Sequence, residues 1–397
     1  MERTKKNNLV LIWLAQAISQ SGDSIYQLAL LWVVLDLTAS PILTGFIAMS
    51  AYLPALILGL YAGVLSDRIN RLKLMVYSNV FQSLMVVLIP LALFYSNNIW
   101  VICILAFLRS CFNTFFQPAL QSFIPILYKK NILMNINAVL ATSGQIAWLL
   151  GPLLAGFLLS VLTLENLFFI DAASFVIAAI LLQFVKTPEK VLEQKINNQW
   201  SDLKKGLVYL LSKKPILQII IITFINNIFI MGPAVVGVPI LVKTILGGTA
   251  SDFAFVEGCM AFGALFGSFL VTRLKIILPK GILWSFGLII DGATFCMLFW
   301  AESIAAIMIM IFFHGIGIPF IIISRTSIIQ TYTSSQYHGR LFSTAHLGVV
   351  GATAFSSALV GITAETFTIK VIFLIFGIGA ALCGLYTISN KAIRKLT

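Results

Sequence analysis

The sequence predicts an all-α membrane protein, with twelve transmembrane helices in two six-helix bundles. Three observations carry that expectation. Of 397 residues, 59% are hydrophobic and only 10% charged, with a mean hydropathy of +1.00, whereas a soluble domain carries roughly 25% charged residues. The apolar residues fall into twelve runs, each near or above the ~20 residues that one helical crossing needs. The basic residues collect in alternate connections between those runs, as expected where Lys and Arg stay on the cytoplasmic side.

The runs follow in order. Residues 9–37 form the first, with a single acid, Asp23, in "SQSGDSIYQLALLWVVL". A basic "RTKK" precedes it and could imitate a signal peptide, but the run is long and no A-x-A site closes it, so it is expected to be retained. Residues 42–65 end at "SDRINRLK"; 74–95 and 99–120 lie between that stretch and "LYKKN"; 137–162 and 166–185 complete the first set. After a polar segment, 215–243 and 253–272 end at "TRLKIILPK"; 281–300 and 303–324 end at a polar stretch, 325–340; 341–364 and 370–389 end at "KAIRK". The runs are continuous rather than ten-residue alternations, which argues against a barrel. Backbone groups in lipid must be satisfied within each run, so the runs are helices.

With the N-terminus placed in the cytoplasm, 23 of the 26 Lys and Arg residues fall on that side, Lys243 and Lys370 on the other, and Arg109 inside a run. Both termini are therefore expected in the cytoplasm of a multi-pass protein of the cytoplasmic membrane. The net charge of +12 belongs to loops facing anionic lipid, not to a nucleic-acid surface. The segment 186–214 puts Trp200, Leu203, Leu207, Leu210 and Leu211 on one face and Lys204 and Lys205 off it, as in an interfacial helix. It divides the chain into a bundle at 1–185, a cytoplasmic linker at 186–214 and a bundle at 215–397. The halves echo each other: "LQSFIPILYKKNILMNINAVL" follows the fourth run and "IIQTYTSSQYHGRLFSTAHL" the tenth. Such repeats mark secondary transporters, whose substrate site lies between them near the midplane.

The connection "GVLSDRINRLKLM" resembles the loop signature of the major facilitator superfamily, G-x-L-a-D-R-x-G-R-[KR]: Gly63, Leu65, Asp67, Arg68 and Arg71 match. Asn70 stands where the family has Gly, and Asn tolerates a left-handed turn. Leu72 replaces a basic residue, with Lys73 one place later. The resemblance implies the major facilitator fold and a cytoplasmic gate at Gly63, Asp67, Arg68 and Arg71, closing near Arg340 and Leu341. The second half keeps Gly267 and Arg273 but lacks the acid, so the gate is expected to be asymmetric. In the fifth run, Gly144, Gly151, Pro152 and Gly156 resemble the superfamily's antiporter motif, with small residues for close helix contact and a proline to bend the helix. A narrower likeness, carried by "GDSIYQLALLWVV", "QPALQSFIPIL", "LFFIDAASFVIAAILL", "LKKGLVYLLSKKPIL" and "QYHGRLFS" in that order, is to the branch of macrolide-efflux proteins and the enterobactin exporter. It implies export driven by proton antiport.

Away from the ends of the runs lie four acids and one base: Asp23, Asp171, Glu257, Asp291 and Arg109. An unpaired charge at the midplane costs on the order of 3 kcal/mol or more, so each asks for a partner or a task. Asp23 and Arg109 both lie near mid-depth, and Arg109 matches the fourth-helix Arg of the antiporter signature. These two are expected to couple transport to protons: lipid penalises the charged carboxylate and a neighbouring Arg favours it, so proton occupancy can follow exposure. Asp171 reads as a residue of helix contact or capping nearer the outer end. Asp171, together with Glu257 and Asp291, is also a secondary titratable candidate. His314 and His346 read as buried, hydrogen-bonded residues. Tyr26, Gln27, Asn113, Gln117, Gln145, Asn226 and Asn227 are expected to line the cavity, with Trp32, Trp148 and Phe229 as apolar wall.

The expected function is proton-coupled antiport that exports an amphiphilic drug-like or siderophore-like molecule by alternating access. A lipid or lysolipid flippase, or an importer of the same fold, is the alternative. The partners are then protons, the substrate and the bilayer, with a single chain sufficient. No cofactor beyond the proton gradient, and no metal, is expected: there is no H-E-x-x-H, no G-x-S-x-G and no metal-spaced Cys/His set, which argues against a membrane enzyme. The cysteines 103, 111, 259, 296 and 383 all fall within runs, as packing residues do.

Overall fold

The computed structural model describes residues 2–95, 98–128, 132–186, 208–275 and 277–396. Among them every regular element is helical: α1 (Glu2–Thr38), α2 (Pro41–Arg68), α3 (Arg71–Tyr95), α4 (Ile99–Leu127), α5 (Leu133–Leu159), α6 (Leu164–Gln183), α7 (Lys214–Ile245), α8 (Ala250–Leu274), α9 (Lys280–Trp300), α10 (Ile304–Tyr332), α11 (Ser335–Thr363), α12 (Ile369–Ser389) and a last turn, α13 (Lys391–Arg394). Eleven of these, α2 to α12, are long and apolar enough to cross a membrane. α1 is the longest, at 37 residues, but the polar stretch through Asp23 dilutes its apolar character. It is the helix that the others must accommodate.

Several helices outrun their apolar stretch. α4 continues to Leu127 and α10 to Tyr332, each 29 residues long, so Arg325 lies inside α10 rather than in a loop. Hydropathy ends where Gln and Ser begin; helical hydrogen bonding does not. Capping fixes the opposite ends: the Asn98 side chain accepts from Trp100 N, the Ser303 side chain from Ala306 N, and Thr249 and Asp252 form a capping box, each satisfying donors that a helix start leaves open. α7 is α-helical except for π-helical turns at Pro233–Gly237 and Leu241–Ile245. Pro233 and Pro239 remove backbone donors there, and a wider turn accommodates the gap.

The chain forms two compact units, Met1–Thr38 with Ser50–Asn197, and Ala39–Met49 with Asn198–Thr397. In the first, α1 packs on α5 and α6, and α3 on α4 and α6. In the second, α7 packs on α11 and α12, and α9 on α10 and α12. The same pairing scheme recurs six helices later, so the weak sequence echo corresponds to a repeat in space. The start of α2 groups with the second unit because Gly45 touches α11: a Cβ there would lie 2.6 Å from the Ser357 carbonyl oxygen and 2.8 Å from Gly361 Cα. Glu365 also accepts hydrogen bonds from Ile42 N and Ser40 Oγ. Most of the linker's amphipathic stretch, including Trp200, Leu203, Lys204, Lys205 and Leu207, lies outside the described residues; Leu210 is buried and Leu211 exposed.

Candidate functional site

α1 carries polar residues at Gln16, Gln20, Asp23 and Gln27, a spacing that keeps them on one helical face. Its other faces are built for contact. Gly22 meets α6 so closely that a Cβ would sit 2.2 Å from Ser174 Oγ and 2.5 Å from Asp171 Oδ1. Ser24 meets Gly151 of α5, where a Cβ would lie 2.3 Å from Ser24 Cβ; Ser24 Oγ also donates to Ala147 O, and Ser143 Oγ to Gln20 Oε1. Small residues thus draw α5 and α6 onto α1 and set the position of Asp171.

Arg109 of α4 completes the cluster. Its Nη2 donates to Asp23 Oδ1, and the same nitrogen lies 3.9 Å from Asp171 Oδ2. The guanidinium stacks over the Tyr26 ring, 4.0 Å from its centroid, with Phe175 at 5.5 Å. Such cation–π contact is worth most where water is excluded. The two acids differ in access: the Asp23 side chain is 29% exposed, that of Asp171 0%. Asp171 combines helix contact with an ionic neighbour. Its hydroxyl partner, Ser174, and the Gly22 approach do serve α1–α6 contact, but the carboxylate also faces Arg109.

A second polar cluster lies in the second unit. Asp291 (α9) Oδ2 accepts from Asn226 (α7) Nδ2 at 3.5 Å, and its Oδ1 lies 3.3 Å from His314 (α10) Nδ1. All three residues are buried. His314 sits against the Phe295 ring at 4.8 Å. Sequence reading took Asp291 and His314 one at a time. Their pairing was legible: Asp291 stands eleven residues before Glu302 and His314 eleven after Ser303, so two antiparallel helices joined there bring them to one depth.

The remaining candidates separate. Gln27 Nε2 donates to Tyr52 Oη at 3.1 Å. Asn113, Gln117 and Gln145 are exposed. Asn226 and Asn227 are buried, the latter donating to Thr223 O at 2.7 Å, so their amides are turned into the unit's interior and do not line an open cavity. Trp32 is buried, and Phe229 packs edge-on against Phe376. Glu257 is half-buried, with no ion pair among the described residues. Gly144 and Gly151 face α1 and Gly156 is buried, while α5 runs through Pro152 without interruption. At the gate loop, Ser66 Oγ donates to Gly63 O, Arg71 is buried, and the side chains of Asp67, Arg68 and Arg340 lie outside the described residues. Asn70 does not adopt the left-handed turn expected of it: among the described residues only Ala39 is a non-glycine with positive φ. Its Oδ1 instead accepts from Lys73 N at 3.1 Å, which caps α3 and explains an Asn at that place. All five cysteines are free thiols.

The helix-packing scheme, repeated six helices on, is that of the major facilitator transporters. The chain belongs to the transmembrane secretion effector family of that superfamily, whose sequence profile matches residues 4–395. It is 25% identical to the uncharacterized MFS-type transporter YfiS of Bacillus subtilis, over 98% of this chain and 94% of the relative. It is 24% identical to macrolide efflux protein A of Streptococcus pyogenes, over 84% and 83%. The fold is similar to that of a bacterial homologue of the iron transporter ferroportin in an inward-facing state, with a TM-score of 0.74, 15% identity and coverage of 98% and 100%. The chain is thus a multi-pass membrane transporter with relatives among efflux proteins.

Proposed function

We propose that the protein is a proton-coupled antiporter of the cytoplasmic membrane, both termini cytoplasmic, that exports an amphiphilic small molecule by alternating access. One observation carries the reading: Arg109 lies between two carboxylates of unequal access. Fully ionised, the cluster of Asp23, Arg109 and Asp171 has a net charge of −1, which is costly at mid-depth. One proton neutralises it. Asp23, the partly exposed acid, takes that proton, and Arg109 then leans on Asp171, so the guanidinium is never left unpaired. Proton release lets Arg109 return to Asp23. Export rather than import is supported by the sparse charge elsewhere in the helices and by efflux proteins among the relatives.

The test uses proteoliposomes with an imposed pH gradient and erythromycin as the first probe, a choice prompted by the macrolide relative. Wild-type protein is expected to accumulate the probe against its gradient. Asp23→Asn is expected to bind it and exchange it passively but to lose the gradient-driven component. Accumulation by Asp23→Asn at the wild-type rate refutes the assignment.

A second expected result concerns the gate loop. Asp67→Asn alters the balance between two conformations rather than the fold. It is expected to slow transport severalfold while leaving the yield of folded protein unchanged. Wild-type transport by a folded variant removes Asp67 from the gate.

A further inference from the structure

The Asp291–His314–Asn226 cluster is not used by the mechanism above. Asp291 is 4% exposed, His314 3% and Asn226 3%, yet their polar atoms are poorly satisfied. Asp291 Oδ1 and His314 Nδ1 approach to 3.3 Å without a directional hydrogen bond, and Asn226 Oδ1 has no partner. Buried polar groups are nearly always paired, and exceptions tend to mark function. The surroundings add no other charge. On α9 itself Phe295 packs on the imidazole, and α12 places Phe373 against Phe295. Cys296, five residues after Asp291 on α9, donates to Leu374 O at 3.7 Å and so faces α12. From α10, besides His314 itself, Gly317 adjoins the carboxylate, its Cβ position lying 3.2 Å from Asp291 Oδ1. No Lys, Arg or further acid contacts the pair among the described residues.

We propose that Asp291 and His314, steadied by Asn226, form a second proton-binding site, in the C-terminal unit, so that a transport cycle carries more than the proton held near Asp23. The atoms argue for a proton over a metal cation. A hard cation such as sodium prefers an all-oxygen shell, and the imidazole nitrogen at the centre is a poor ligand for it; a carboxylate and an imidazole exchange protons readily. With one proton between them the pair is neutral, either as Asp⁻ with HisH⁺ or as protonated Asp with neutral His. Uptake of a proton from water raises the pair's charge by one, release lowers it by one, and no other bond changes. The site itself is independent of Asp23; its role in antiport rests on the antiport reading.

The experiment is pH-induced infrared difference spectroscopy of the full chain in phosphatidylethanolamine–phosphatidylglycerol nanodiscs, with ¹⁵N-imidazole NMR on the same preparation. Two titrating carboxylic-acid bands are expected in wild-type protein. One is absent from Asp23→Asn and the other from Asp291→Asn. The imidazole signal assigned by its loss in His314→Gln should change with pH in step with the Asp291 band, and that band's midpoint should move by about one pH unit or more in His314→Gln. Gel filtration confirms that each variant used for assignment is folded, and the coincidence of band and imidazole is then read in the wild-type protein. The proposal is overturned if the Asp291 carboxyl and the His314 imidazole stay constant across the titration, or if they respond to sodium and not to pH. Absence of the Asp23 band alone from the wild-type spectra would sink the antiport reading and leave this site standing; absence of the Asp291 band alone would do the reverse.

Discussion

Asp23→Asn and Asp171→Asn are each expected to leave stability nearly unchanged, and the double variant to be strongly destabilised. Either single change leaves Arg109 with one carboxylate and the cluster neutral, so stability should fall by about 1 kcal/mol or less, as for a lost hydrogen bond. The double change leaves a guanidinium buried on Tyr26 and Phe175 with no counter-charge. Breaking a buried ion pair so that one charge is uncompensated costs about 3–5 kcal/mol. The non-additivity is therefore expected to reach about 3 kcal/mol, the upper range for residues that share a partner. Thermal unfolding of the four proteins in one detergent measures it. Had Asp23 been the only partner of Arg109, Asp23→Asn alone would carry the whole cost; a single variant as unstable as the double one therefore contradicts the two-acid arrangement.

Gly263→Ile is expected to have a comparably large effect, for steric reasons. α8 and α10 meet backbone to backbone. A Cβ on Gly263 would lie 2.0 Å from Phe312 O, one on Gly267 2.3 Å from Ile316 O, and one on Gly315 2.1 Å from Met260 O. Gly263 and Gly267 form a G-x-x-x-G pair, the spacing that lets helices touch in lipid. No side chain at these points can rotate away, because the obstacles are carbonyls. The helices must separate, at a cost of about 1–3 kcal/mol or more. Fluorescence-detected gel filtration should show a large loss of monodisperse protein, whereas Phe262→Ile, next to it on an exposed position, should change little. Equal yields from the two variants refute the close-contact argument.

The helices were legible in the sequence because lipid imposes one requirement on every span, an internally satisfied backbone, and apolar length reports it directly. Helix ends were less legible: the last turns of α4 and α10 are amphipathic, and an average over many residues discards them. At the site, Asp23 and Arg109 stood out because charge is rare in these runs, and the structure brings them together. The approach of Asp171 to Arg109 was not legible in the sequence, because depth counted along α6 alone says nothing of how far the long side chain of Arg109 reaches. The Asp291–His314 contact was missed because each residue was weighed singly, although their symmetric distance from the turn at Glu302 and Ser303 placed them side by side. The Gly263–Gly315 contact left even less trace. A glycine in an apolar run marks permission for a close approach, not its partner.

The polar character of α1 bears on how the protein is made. α1 leaves the ribosome before the other helices described, yet it is not among those long and apolar enough throughout to cross a membrane by length and composition alone. Arg109 follows Asp23 by 86 residues, an interval of about 4–17 s at ordinary rates of synthesis. During that interval the carboxyl of Asp23 has no counter-charge. It must stay neutral or linger at the lipid–water boundary until α4 arrives, and the Gly22 and Ser24 faces stay open until α5 and α6 follow. The pairing of Asp23 with Arg109 therefore makes α1 dependent on α4, and the unit that contains them is secured in the membrane by its later helices rather than in the order of its synthesis.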